Sequence, residues 1–342
     1  MSVGKLTVGL LAAGMACAVL APLPALAADD AWTQPMTEWG EPDLQGKWPI
    51  GDLTGLPFER PKQYGERMYL NDEEFAKRLA ADEAQNERYK KEIEENKMGM
   101  GHWTEGVEPQ RRTSILIDPP DGRLPEKTEE GKRLSKLMKS SWQKIDFDSP
   151  SDFDSWDRCI TRGMPASMFA YHYNNGIQII QSPGYVVIRL EMIHESRIIP
   201  TDGRPALPAS ILNWMGESRG HWEGNTLVIE TTNLKPGPSA TNIGIVGSPP
   251  FNDTPISEKA RITERLTMKD QNHLDYTLTM DDPVVFTKPW TANEMWTRDP
   301  SYGFYEYACH EDNYTIRNYI NASRAQRAKD AAKAGKQAKN EQ

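Results

Sequence analysis

Between residues 168 and 290 apolar and polar positions alternate in short bursts rich in Val, Ile, Thr and aromatic residues. The bursts are MFAYHY (168–173), IQIIQS (177–182), YVVIRLEM (185–192), HESRIIP (194–200), TLVIETTN (226–233), KARITERLTMK (259–269), HLDYTLTMD (273–281) and VVFTKPW (284–290). Turn-forming groups punctuate them: SPG at 182–184, TDGRP at 201–205, EGN at 223–225 and KDQN at 269–272. Period-two runs at this spacing, with no helices between them, predict a mainly β fold. The expected architecture is an antiparallel meander forming a lipocalin-like barrel.

The pattern differs upstream. Residues 28–63 are rich in Trp, Pro and Gly, and PDLQGKW (42–48) is their one expected strand. NDEEFAKRLAADEAQNERYKKEIEEN (71–96) has an Asn71 or Asp72 cap, acidic residues in its first turn and no Gly or Pro, which predicts a helix. Its few apolar positions, Phe75, Leu79 and Ala80 among them, predict a surface helix burying only a thin stripe. Leu134, Leu137, Met138 and Trp142 recur at helical spacing and predict a second helix over 127–143. These stretches make 28–150 an irregular and helical segment covering a barrel of residues 151–320. Residues 321–342, mostly Ala, Lys, Arg and Gln, predict a frayed helix or a disordered tail.

The first 27 residues read as a cleaved signal peptide. Lys5 precedes an apolar stretch over 6–20, and ALA at 25–27 supplies the small residues of a cleavage site. Export to the periplasm follows, with no transmembrane segment in the mature chain. A formal charge of −9 gives no electrostatic basis for nucleic-acid binding. Beyond Cys17 in the leader, the cysteines are Cys159 and Cys309. In an exported chain they are expected to form one disulfide, worth ~3–5 kcal/mol on the chain-entropy model.

Local catalytic signatures are missing: no G-x-S-x-G, no Walker loop, no G-x-G-x-x-G after a strand and no H-E-x-x-H. What remains is titratable groups within apolar runs: His172, Tyr173, Asn174 and Asn175; Arg189, Glu191, His194, Glu195 and Arg197; Tyr305, Glu306, Tyr307, His310 and Glu311. In a regular strand Arg189, Glu191, Ile193, Glu195 and Arg197 share one face and His194 lies on the other. That charged face is either the solvated outside of the sheet or the lining of a polar cavity. A bulge at EMIH would bring Glu191 and His194 together. A metal held by His172, His194, His310 and Glu191 or Glu306 ranks below metal-free acid/base chemistry, since no pair has a local ligand spacing.

Five segments together resemble a large family of exported proteobacterial and acidobacterial proteins: RRTSILIDPPDGRLP (111–125), DRCITRGMP (157–165), IQIIQSPGYVVIRLEMIHESRIIPTDGRP (177–205), SRGHWEGNTLVIETTN (218–233) and YEYACHEDNY (305–314). The resemblance covers most of residues 40–320. It implies catabolism of lignin-derived aromatic dimers, with phenylcoumaran-type compounds opened to stilbenes by a cofactor-independent lyase. Such a reaction, losing carbon dioxide or formaldehyde, needs a cationic clamp, a proton acceptor and an acid for the departing phenoxide.

The residues available for those roles are Arg197 or Arg189 as clamp, Glu191 as acceptor and His194, His172 or Tyr173 as acid. Asn174, Trp214, Tyr305 and His310 are expected to bind the guest. The expected function is a periplasmic lyase or decarboxylase with a small aromatic substrate and no cofactor or metal. The rival is a lipocalin-like carrier, whose aromatic cavity would lack convergent titratable groups.

Overall fold

The strands pair as two antiparallel sheets. One has four strands in the order β1 (Gly46–Pro49), β3 (Gly176–Ser182), β4 (Tyr185–Leu190), β5 (Ser196–Pro200). The other has six, in the order β2 (Leu116–Asp118), β10 (Trp290–Thr297), β9 (His273–Asp281), β8 (Arg261–Met268), β7 (Thr226–Thr232), β6 (Glu217–Glu223). The computed structural model describes residues 1, 32–105, 109–143, 145–238, 251, 253–311 and 313–340. Apart from Met1, the expected signal peptide lies outside the described residues. The described residues from 34 onward form one compact unit.

The chain is thus mainly β, but the expected closed barrel is not formed: among the described residues no ladder joins the two sheets. The sheets do approach each other, with β5 beside β6 at one side and β1 beside β10 at the other. The covering segment also contributes strands to the body, since β1 and β2 are edge strands of the two sheets.

Alternation explains the six-stranded sheet. Leu274, Tyr276, Leu278 and Met280 of β9 are fully buried. Each stands opposite an inward residue of β8: Met268, Leu266, Glu264 and Ile262. The outer faces carry threonines whose hydroxyls pair across strands, Thr279 with Thr291 at 2.9 Å and Thr226 with Thr267 at 2.8 Å. Trp48, Ile179, Ile188 and Ile199 of the smaller sheet join Leu227, Tyr276, Trp290 and Trp296 of the larger in one core. Side chains therefore fill the space between the sheets. Glu294 sits in this core and accepts the Trp296 indole N–H at 2.9 Å. Burial pushes its carboxyl up to about 8, so it is uncharged at neutral pH.

Several expected elements change. MFAYHY is not a strand: a 3-10 turn at Ala166–Met168 leads into irregular chain, and Asn174 has φ 54°, the left-handed region an asparagine tolerates. VVFTKPW is not a strand either. The Asp282 carboxylate takes the backbone N–H of Val284 and Val285, and apart from a single bridge between Phe286 and Lys127 pairing resumes at Trp290. The helix expected over 127–143 is shorter: α2 runs Glu129–Ser135, and Asp157 captures the Ser141 N–H at 2.7 Å. The tail is helical, α3 spanning Thr315–Asn340. Its first turns pack Tyr319 edge-on against Phe147 and Phe153.

The surface helix forms as expected. In α1 (Asp72–Glu94) the Asn71 side chain accepts from the Glu74 N–H, and Glu74 accepts from the Asn71 N–H, both at 2.9 Å. None of its residues is buried. Asn71→Ala is therefore expected to cost the helix about 1 kcal/mol locally, read as roughly fivefold faster amide exchange in its first turn with little change in global melting.

Candidate functional site

EMIHESRIIP is not a continuous strand. β4 ends at Leu190, and Glu191–Glu195 turn the chain with Ile193 at φ 61° and His194 at φ 46° before β5 begins. The turn separates the residues expected on one face. Arg189 stays outside, its guanidinium 4.6 Å over the Phe304 ring. Arg197 points into the core, where it pairs with both oxygens of Glu264 and donates to Ser218 and Thr231 at 3.3 Å. Tyr276 donates to the same Glu264 carboxylate at 2.8 Å. Arg197 is thus a tie between the two sheets, not the clamp of an open cavity.

Glu191 is buried in the turn and accepts four hydrogen bonds: from Asn174 Nδ2 at 2.8 Å, Gly176 N at 3.1 Å, the Tyr302 hydroxyl at 2.7 Å and Tyr305 N at 3.3 Å. Gly176 makes room for it, since a Cβ there would lie 2.4 Å from Glu191 Oε2. The carboxylate therefore pins residues 174–176 to residues 302–305.

Those two segments are walls of a cleft of about 910 Å³. Tyr171, Tyr173 and Asn174 form the first wall and Tyr305–Cys309 the second. Met100, His102, Trp103 and Glu105 form the third, on the irregular chain after α1. Local bonds hold each wall. Glu105 N donates to the His172 carbonyl at 2.9 Å, and Asn175 Nδ2 returns a bond to the Glu105 carboxylate at 2.9 Å. His194 Nδ1 donates to the Tyr307 carbonyl at 2.9 Å. The disulfide Cys159–Cys309, Cα–Cα 5.6 Å, fixes the far end of the second wall.

The first wall is an aromatic stack. Tyr171 meets Trp156 edge-on at 4.9 Å and Tyr173 at 5.1 Å, and the buried Arg162 guanidinium lies 5.2 Å from its ring. Burial raises the Tyr171, Tyr173 and Tyr307 phenols above their ordinary value, so all three are neutral donors near pH 7. Burial also raises the Glu105 carboxyl, against the opposing hydrogen bonds from Asn175 and with a smaller upward push from Glu191. A half-buried carboxylate beside protonated phenols is equipped for proton transfer.

Of the residues expected from sequence, Tyr173, Asn174 and Tyr305 line this cleft, and Glu191 stands directly behind it. The others lie elsewhere. His194 is exposed and orients the second wall through backbone only, and His310 is exposed. His172 lines a separate pocket of about 240 Å³ with Phe58 and Phe251. Trp214 is held between Arg158 and Lys235. Among the described residues no three His, Cys, Asp or Glu side chains cluster as a metal site, so the three-histidine arrangement does not assemble. Glu105, Trp103, Tyr171 and Tyr307 were not among the expected site residues. The available signal for the third wall is the loop GMGHWTE (99–105), a tryptophan just after two glycines with no strand or helix period. No family model matches the chain, and no curated protein is significantly similar to it.

Proposed function

We propose that this cleft binds a compact aromatic molecule and acts on it by general acid/base catalysis, as an exported lyase. The observation that carries the reading is the placement of Glu105, a carboxylate made more basic by burial, in one cleft with the protonated phenols of Tyr173 and Tyr307. Glu105 is the proton acceptor and Tyr173 the donor. The rings of Trp103, Tyr171 and Tyr305 suit a planar guest.

The resemblance to proteins acting on phenylcoumaran-type compounds supplies the substrate class. In such a lyase Glu105 removes the proton of a side-chain hydroxyl, and the adjacent C–C bond breaks to release an aldehyde. The electron pair forms the stilbene double bond as the ring ether leaves, and the departing phenoxide takes its proton from Tyr173. Decarboxylation fits less well, because neither Arg189 nor Arg197 reaches the cleft to hold a carboxylate. We read the two-sheet body as a flattened, lipocalin-like barrel with a filled interior, so that the guest sits against its covering segments. The disulfide agrees with export to an oxidising compartment.

The test is turnover of phenylcoumaran-type alcohols and acids by the purified protein, followed by stilbene absorbance. Glu105→Gln is expected to lower kcat by about 100-fold. In the wild type kcat/KM should rise with pH through a midpoint above the ordinary carboxylate value, since Glu105 must lose its proton to act. Tight binding of the same compounds without turnover would favour the carrier reading and remove the catalytic role of Glu105.

A further inference from the structure

The charged side chains that line the cleft are one-sided. Glu105 and Glu306 line it, and no lysine or arginine does so among the described residues. The buried carboxylate of Glu191 stands behind Asn174. His102, on the third wall, directs Nε2 at the Lys97 carbonyl, 2.9 Å away. Arg162 is a cation behind the aromatic wall, buried and packed against the rings of Trp156 and Tyr171, which stand between it and a guest. Arg189 covers Phe304, and Arg197 is locked to Glu264 in the core.

The remaining lining is mostly aromatic. Trp103 and Tyr305 are more than half exposed, with ring surface open to a guest, and Tyr171, Tyr173 and Tyr307 line the same cleft. An aromatic face carries negative charge in its quadrupole, and several such faces around one space attract a cation without a formal ion pair. Carboxylates on the same rim add to that attraction. A carboxylate guest would meet both at once, with no lining cation to offset its desolvation.

From this we propose that the cleft selects by charge, taking an ammonium-bearing aromatic in preference to a neutral one and a neutral one in preference to a carboxylate. The proposal rests on the reading of this cleft as the binding site. It deepens that reading by naming the charge class of the ligand.

Three probes of similar bulk test it: benzyltrimethylammonium, benzyl alcohol and phenylacetate, titrated calorimetrically into the purified full chain at low salt. Affinity is expected to fall in that order, by roughly tenfold from the cation to the neutral probe and further to the anion. Glu306 is exposed and has no part in the proposed proton transfer. Glu306→Gln should therefore fold normally and reduce the cation preference severalfold, and Trp103→Leu should reduce it too.

Phenylacetate binding as tightly as benzyl alcohol would overturn charge selection and leave the binding reading standing. A cation preference unchanged in both variants would place the ammonium outside this cleft and overturn the assignment. Failure of all three probes to bind would remove the binding reading, and the proposal with it.

Discussion

Arg197→Met is expected to lower the unfolding free energy by about 3–5 kcal/mol, the cost of leaving a buried carboxylate without its partner. The Arg197 and Glu264 side chains are almost wholly inaccessible, 2% and 0% exposed, and form a two-point pair between β5 and β8. Removing the arginine leaves Glu264 with the Tyr276 hydroxyl as its remaining donor and frees the hydroxyls of Ser218 and Thr231, which already bond one another at 2.8 Å. A buried charge so exposed to mismatch is more costly than no charge at all. The combined variant Arg197→Met, Glu264→Leu, Tyr276→Phe should therefore recover most of the loss, because it replaces the network with apolar volume. Urea unfolding at constant slope measures both. A single-variant loss below about 1 kcal/mol would show that water reaches the pair, and that it does not act as a dry tie between the sheets.

This pair also shows where sequence reading stopped. Alternation located most of the strands, because Leu274, Tyr276, Leu278 and Met280 announce a buried face whatever lies opposite. The same rule applied to EMIHESRIIP assumed an unbroken strand. Two left-handed residues, Ile193 and His194, reset the phase, so Arg189 and Arg197 point to opposite sides. Nothing in the side-chain pattern marks a positive φ at an isoleucine, which is a costly place for it. Alternation puts Glu264 on the buried face of Ile262 and Leu266, but nothing in its own strand shows that its partner is Arg197 on the other sheet.

The cleft was half legible for a related reason. Tyr173, Asn174 and Tyr305 stood out as polar side chains near strands, and Cys159 and Cys309 are the two cysteines of the strand-bearing part of the chain. Glu105 and Trp103 lie on irregular chain, whose position depends on single bonds such as Glu105 N to the His172 carbonyl. No periodicity encodes such a contact. MFAYHY was misread because alternation of aromatic and small residues imitates a strand. Here Tyr171 and Tyr173 meet edge-on and form a wall of the cleft.

Glu191→Gln is expected to destabilise the protein by about 2–4 kcal/mol and to weaken ligand binding in the cleft at least tenfold. The four groups that surround this carboxylate are all donors: Asn174 Nδ2 and Tyr305 N at one oxygen, Gly176 N and the Tyr302 hydroxyl at the other. A glutamine offers one acceptor oxygen and one amide nitrogen. Turned toward Asn174 and Tyr305 its NH2 group faces two groups that only donate; turned the other way it faces Gly176 N, while the Tyr302 hydroxyl can reverse and accept, so at least one bond is lost in either orientation. The segments that separate are 174–176 and 302–305, so damage to the fold and damage to the cleft walls have a common origin. Glu191→Asp keeps the charge on a shorter stem and should fall between the wild type and the glutamine variant. Turnover separates this positioning role from direct chemistry: in Glu191→Gln the KM should rise along with the fall in kcat, while the acid limb of the pH profile, set by Glu105, persists and moves to slightly lower pH as the neighbouring charge is lost. A glutamine variant with normal stability and normal ligand affinity but no turnover would make Glu191 the reacting base and Glu105 its neighbour.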